Sequence, residues 1–198
     1  MKLLAFVDLH GEKKLYTKLL KKAKKEKPNF SICAGDFTTF EHNIKDNMRK
    51  LSKLGKLFLL HGNHEEAIVV GNLSKLYKDI EFIHRKIVVH KGIMLIGWGG
   101  GGFTIRDIEF EAWIRENKKQ IKQHKGIKIL VTHAPFYGTA VDNLNDEHHG
   151  CKSFSNFIKK YKINFGFCGH FHENGGVKGK LRQCSVFNPG PEGVVINF

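Results

Sequence analysis

Residues 163–176 read INFGFCGHFHENGG. The run 163–167 is apolar, short and bounded by turn residues, which predicts a buried strand. Just beyond it stand His170 and His172, separated by Phe171. Two imidazoles placed in this way are either solvated turn residues or the last two ligands of a metal site. Nothing inside the stretch separates those readings. The rest of the chain decides, by supplying further ligands at equivalent positions or by failing to.

Four other apolar runs end in the same manner. KLLAFV leads into Asp8 and His10, FSICA into Gly35 and Asp36, KLFLL into Asn63 and His64, and GIKILVT into His133 before Pro135. Helical segments lie between and after them. The stretch 12–27 is lysine-rich, with Leu15, Leu19, Leu20 and Ala23 on one face, and Pro28 ends it. Ile44, Met48, Leu51 and Leu54 keep helical spacing over 43–54, and a third helix is expected from about Glu65. A fourth covers 106–124, with Ile108, Trp113, Ile114 and Ile121 inward, and a fifth covers 154–162. Strands alternating with helices predict an α/β sheet, while hairpin-like strands in 81–102 and in the tail from Gly175 predict a second sheet. In an open α/β sheet the carboxyl ends of the strands converge on one crevice. Asp8, His10, Asp36, Asn63, His64, His133, His170 and His172 are therefore expected to gather there.

The bulk properties are those of one globular unit. The chain has 198 residues, 41% of them apolar, with 21 glycines and no low-complexity tract or internal repeat. It is read as a single domain, 1–198. The formal charge of +14 comes mainly from lysine, whose ordinary role on helix faces is solvation. A positive field also draws phosphorylated partners. No apolar run approaches the roughly 20 residues needed to span a bilayer. Asp8 and His10 interrupt the N-terminal apolar run before any cleavage-like site, so it reads as a first strand and not as a leader. The four cysteines are scattered, without a C-x-x-C pair, which favours a reduced, cytoplasmic protein over a disulfide-stapled one.

Taken singly, each polar residue has a plain structural role. Asp8 could cap the following helix, Asp36 could fix a turn, and Asn63 could sit in a glycine-assisted turn. Five such coincidences, each after its own apolar strand, are not explained that way. Carboxylate, imidazole and amide oxygen together suit Mn²⁺, Fe or Zn²⁺. The absence of cysteine among them argues against a structural zinc site of the thiolate kind. One ion cannot use so many bulky ligands, whereas two can share them through a bridging carboxylate. Ions roughly 3.5–4 Å apart can clamp the attacking and leaving oxygens of a phosphoryl transfer.

The motifs D-x-H at Asp8 and His10, G-D at Asp36, G-N-H-E at Asn63 to Glu65, a lone His133, and G-H-F-H at His170 and His172 occur in that order. In this the chain resembles the calcineurin-like metallophosphoesterase superfamily. The resemblance implies a four-layer αββα sandwich of two mixed β-sheets flanked by helices, classed as α/β or, in some schemes, α+β. It implies two divalent ions, Mn²⁺ first, with Fe, Zn²⁺ or Ni²⁺ as alternatives. One would be held by Asp8, His10, Asp36 and His172, the other by Asp36, Asn63, His133 and His170. His64 would face the phosphoryl group or the leaving oxygen. The segment THAPFYGTAVDN and the late N-P-G resemble small prokaryotic phosphodiesterase-type members. Many relatives carry an acid three positions after the Asp of G-D, where this chain has Thr39, so support around the ligands is the point of departure.

The expected function is hydrolysis of a small or nucleotide phosphodiester. Phosphomonoesterase action on protein or sugar phosphate, nuclease action, and a non-catalytic scaffold are the alternatives. No zinc finger or RNP motif accompanies the charge, so nucleic acid is not favoured as a partner. The oligomeric state is left open, a homodimer included. The polar stretch 136–151 follows His133 and is a candidate rim over the metals, with His148 and His149 as solvated residues or substrate contacts. Glu65 is a candidate to orient His64. The run Gly99–Gly102 lacks a P-loop lysine and is expected to let backbone approach something closely.

Overall fold

The structure, a computed structural model, describes residues 1–198. One sheet contains β1 (Lys2–Phe6), β2 (Phe30–Cys33), β3 (Leu57–Leu59), β4 (Ile80–Phe82) and, at the end of the chain, β13 (Val194–Asn197). Its order is β13-β1-β2-β3-β4, parallel throughout except that β13 runs antiparallel to β1. The other contains β5 (Lys86–His90), β6 (Ile93–Trp98), β7 (Lys128–Thr132), β10 (Phe165–Phe167), β11 (Lys178–Leu181) and β12 (Cys184–Phe187). Its order is β11-β12-β10-β7-β6-β5, with a parallel centre and an antiparallel hairpin at each edge. A two-residue pair, β8 (Asn143–Leu144) and β9 (Glu147–His148), lies in the long loop after β7.

Side-chain alternation builds the layers. In β1 and just beyond it, Leu3, Ala5 and Val7 point into a core shared with Ile93, Leu95, Ile129, Val131 and Phe167 of the second sheet. Leu4 and Phe6 point the opposite way, against Tyr16 and Leu19 of α1 (Lys13–Glu26), Met48 and Leu51 of α2 (Ile44–Leu51) and Val70 of α3 (Ala67–Ser74). The second sheet does the same. Met94, Ile96 and Leu130 face Phe110, Ile114 and Ile121 of α4 (Ile108–Gln123) and Phe154, Phe157 and Ile158 of α5 (Lys152–Tyr161). Strands buried on both faces must be apolar at nearly every position, which is why KLLAF does not alternate. The result is the expected αββα sandwich, two mixed sheets flanked by helices.

Two local expectations are corrected. The tail does not form one set of hairpins, because β13 crosses to the first sheet and pairs with β1. In α4, Phe110 takes the inward position and Ile108 is 65% exposed. Asp107 caps this helix by accepting from the Phe110 N–H, which leaves Ile108 on the outer side of the first turn. The third helix begins at Ala67, close to where it was expected, and the Glu65 carboxylate just before it is engaged elsewhere.

Candidate metal centre

Parallel pairing sends β1, β2 and β3 in one direction and β7 and β10 in another sheet to the same rim. The loops that follow these five strands meet there. Gly169 packs on Val7 so closely that any Cβ would overlap the valine side chain, which brings the loop after β10 against the loop after β1. The eight residues singled out from the sequence form one continuous cluster. His10 Nε2 stands 2.9 Å from His172 Nε2. Asp36 Oδ2 lies 3.3 Å from His133 Nε2, 3.8 Å from His64 Nε2 and 3.9 Å from His10 Nε2. Asn63 Oδ1 is 3.0 Å from His133 Nε2 and 2.9 Å from His170 Nδ1. The His170 backbone N–H donates to Asp8 Oδ2 at 3.2 Å.

Holding them there strains the chain. Asp8, His10, Asp36 and His170 all adopt left-handed backbone, with φ of 56°, 45°, 47° and 70°. Such residues cost on the order of 1–3 kcal/mol each and persist where the surroundings over-determine them, as at functional sites.

The electrostatics call for positive charge. Burial raises Asp8 to about 6, with Asp36 adding to that against the pull of His133. Burial would raise Asp36 too, but the hydrogen bond and charge of His133 and the His64 backbone N–H hold it at about 2. Burial lowers His170 to about 4. For His133 burial acts in the same sense, yet Asp36 and Asp8 outweigh it and raise the ring above its ordinary value.

Hydrogen-bond chemistry supplies the test of fit to metal. His133 Nδ1 lies 3.0 Å from the Ala34 carbonyl, which can only accept, so that nitrogen carries a proton. Its Nε2 then points at a carboxylate oxygen and an amide oxygen, two further acceptors. A second proton or a cation must sit between them. Asp8 Oδ1 is buried with no hydrogen-bond partner, and the facing nitrogens of His10 and His172 share at most one proton. Asp8–His10–His172, His10–Asp36–His64 and Asp8–Asp36–His133 each bring three donor atoms within 4.8 Å of one another. The donor set is thus compatible with divalent ions, and the carbonyl behind His133 is the kind of outer partner that orients a ligating imidazole.

Other expectations fare differently. Glu65 does not touch the His64 ring. Instead its buried carboxylate accepts from the backbone N–H groups of Asp36, Gly62 and Thr38 and from the Thr38 hydroxyl, at 2.7–3.1 Å. It ties the loops after β2 and β3 together, and burial raises it to about 7. Thr39 donates its hydroxyl to the His10 carbonyl at 2.9 Å, so the position without an acid still supports that loop. His148 turns back onto buried Asp142 at 2.8 Å and His149 lies beside Glu147, so neither enters the cluster.

The glycine run does permit close approach. A Cβ on Gly102 would stand 2.8 Å from His170 Nε2, and one on Gly99 would stand 2.6 Å from His61 Nδ1. His61 and Asp142 escaped the sequence reading. Asp142 braces the loop after β7 by accepting from the N–H groups of Gly138, Thr139 and Gly150, a role one polar residue in DNLND does not advertise. His61 was visible only as the residue before G-N-H. It is buried on Gly99 and its ring, beside His84, is held down to about 3 by burial.

A two-sheet sandwich with carboxylates and imidazoles converging at its strand ends defines the class of metal-dependent phosphoester hydrolases in general terms. The chain belongs to the Calcineurin-like phosphoesterase family, whose profile matches residues 1–174. Solved structures agree on the fold. TT1561 of Thermus thermophilus superposes with a TM-score of 0.78 at 16% identity, covering 96% of this chain and 88% of that one. The phosphopantetheinyl hydrolase of Mycobacterium tuberculosis gives 0.64 at 15% identity, with 96% and 88% covered. A dimetal phosphatase from Danio rerio gives 0.57 at 10% identity, with 94% and 86% covered. No curated protein matches the chain at a significant level. No helix is long and apolar enough to cross a membrane.

Proposed function

We propose that residues 1–198 act as one dinuclear metallophosphoesterase domain that hydrolyses a small or nucleotide phosphodiester. The observation that carries this reading is the position of Asp36. A single, almost fully buried carboxylate oxygen faces imidazoles from both sheets, as a bridge between two ions requires. On this reading Asp8, His10, Asp36 and His172 hold one ion, and Asp36, Asn63, His133 and His170 hold the other, Mn²⁺ being the first choice. The bound ions supply positive charge that polarises the phosphoryl oxygens and acidifies water at the centre.

The protein's own groups do the rest. Asp36 carries the charge that keeps two dications together. The Ala34 carbonyl fixes the tautomer of His133, so its Nε2 is presented to the centre. The backbone N–H of His64 donates to Asp36 Oδ1 at 2.9 Å, which anchors the loop, and the ring stands at the edge of the cluster between Phe40 and His10. From there His64 Nε2 can hold a proton and pass it to the leaving oxygen. Glu65 keeps Asp36 and Asn63 in register by binding both of their loops. Nucleic acid is not favoured as substrate, since the lysines are spread over several helices and form no stripe interleaved with aromatics.

The test is a parallel screen of purified protein loaded with Mn²⁺, Zn²⁺, Ni²⁺ or Fe²⁺. Bis-p-nitrophenyl phosphate, p-nitrophenyl phosphate, cyclic nucleotides and duplex DNA are the substrates. The expected result is metal-dependent turnover with higher kcat/KM for the diester than for the monoester. A higher kcat/KM for the monoester overturns the diester assignment, and no turnover with any metal overturns the enzyme reading.

A further inference from the structure

The loop after β2 carries an exposed phenylalanine where exposure is costly. Phe40 is 75% exposed, and its ring packs on His64 with centroids 4.3 Å apart and planes tilted by 34°. One face is therefore spent on the proposed proton donor and the other is open. The backbone under it is strained: Phe40 has φ 45° and Glu41 has φ 60°. For a bulky aromatic residue the left-handed region is an outlier that the surroundings must impose. They do so here. The Glu41 N–H donates to the Thr38 hydroxyl, which is itself bound to Glu65, and Glu41 Oε1 accepts from the Glu66 N–H at 2.8 Å. The loop is built to hold this ring out beside His64.

Phe40 also divides two cavities of opposite character. On one side lies a cavity of about 480 Å³ that begins at His10 and is lined by Lys13, His42, buried Asn47 and Lys50. Its one acidic residue, Asp46, is shared between Arg49 and Lys50, so that trio keeps a net positive charge, and Lys13 has no acidic partner. On the other side lies a cavity of about 270 Å³ lined by Glu41, Glu65 and Glu66 together with His64. An anion is admitted on the lysine side and repelled on the glutamate side. The larger volume falls in the range of small-ligand sites, roughly 300–1,000 Å³.

We propose that the cavity between His10 and Lys50 is the leaving-group subsite, that Phe40 is the platform for a planar ring, and that Lys13 and Lys50 receive a second phosphate on the same group. The preferred ester is then one whose leaving group is itself a nucleotide. This deepens the phosphodiesterase reading and rests on it in one respect, the assignment of His64 to the leaving-group side: His64 lines the glutamate-side cavity, but its ring also stands edge-on to His10, with centroids 4.8 Å apart, where the lysine-side cavity begins.

The test uses the Mn²⁺-loaded full chain and three inhibitors of bis-p-nitrophenyl phosphate hydrolysis: ribose 5-phosphate, adenosine 5′-monophosphate and adenosine 3′,5′-bisphosphate. A phosphate at the metals is common to all three, so the step from the first to the second reads the ring and the step to the third reads the added anion. In the wild type each step tightens inhibition, the ring step by about tenfold, the scale of one base–aromatic stack. Phe40→Ala abolishes the ring step and Phe40→Tyr, which keeps a flat face, restores it. Lys13→Met or Lys50→Met abolishes the anion step and leaves the ring step. Melting temperatures of the variants confirm that each is folded. Equal inhibition by all three compounds in an active wild type overturns the subsite while leaving the phosphodiesterase reading intact. If the wild type hydrolyses no ester, the same three compounds are titrated by calorimetry. Graded affinities that collapse in Phe40→Ala then uphold the subsite, and equal affinities overturn it.

Discussion

The two sheets bring different chemistry to the shared rim. Loops of the first sheet supply both carboxylates, the amide and the candidate proton donor: Asp8, Asp36, Asn63 and His64, along with His10. Loops of the second supply imidazoles alone, His133, His170 and His172. The first set is held by a side chain, Glu65, which gathers three backbone N–H groups. The second is held by backbone, through the Ala34 carbonyl on His133 and the tight seat of Gly169 on Val7. Negative charge is thus concentrated on one half, and imidazoles face it from the other. Substitutions in the two halves should accordingly differ in kind.

The largest difference is expected at Asp36. Asp36→Asn keeps the size and removes the charge that faces both halves, so activity should fall to background and both ions should be lost. His172→Ala should mainly empty its own site. Elemental analysis of the purified variants beside diesterase rates reads both outcomes, and two full equivalents of metal in Asp36→Asn would break the comparison.

His64→Ala should leave both ions bound and lower turnover by about 10²–10⁴-fold, the scale of lost general acid–base help. The loss should shrink for esters with good leaving groups. Equal losses across a leaving-group series would remove the proton-donor role, and loss of an ion would make His64 a ligand.

A smaller effect separates the two braces. Glu65→Gln replaces an acceptor of several backbone N–H groups by one that must turn an NH₂ towards some of them. It should weaken metal binding by roughly 10–100-fold, as for other outer partners of ligands. Asp142→Asn makes the equivalent change in the loop after β7, away from the cluster. It should lower the melting temperature with little change in metal affinity. Metal titrations and thermal melts on both variants measure this, and equal metal affinities in the two would refute the special role of Glu65.

What was legible in the sequence follows from how each feature is encoded. Strand ends were readable because a buried parallel strand is apolar throughout, so the polar residues just beyond it stand out, although after β3 His61, the first of them, was passed over for Asn63. Asp8, Asp36, Asn63, His133 and His170 were found this way, and the layers followed from alternating strands and helices. Edge placement was not readable. The apolar tail run VVINF fits either sheet, and only the completed turn at Gly190, whose carbonyl accepts from the Val7 N–H, delivers β13 to β1. Glu65 looked like the start of a helix because an acid there also suits the helix N-terminus. Its real partners are mainly backbone N–H groups, that of nearby Gly62 and those of Asp36 and Thr38 remote in sequence, and backbone groups carry no side-chain signature. Ile108 was misjudged although the periodicity was present: at about 100° per residue Phe110, Trp113, Ile114 and Ile121 share one face, and Ile108, two residues before Phe110, falls on the opposite one.

The central claim is that Asp36 joins two metal sites, one closed by His172 and the other by His170. Anomalous diffraction from crystals of the Mn²⁺-loaded protein tests it most directly. The account predicts two manganese peaks per chain at roughly 3.5–4 Å separation, as in other two-metal sites, with Asp36 Oδ2 between them. A single peak, or two peaks that do not share Asp36, would contradict it.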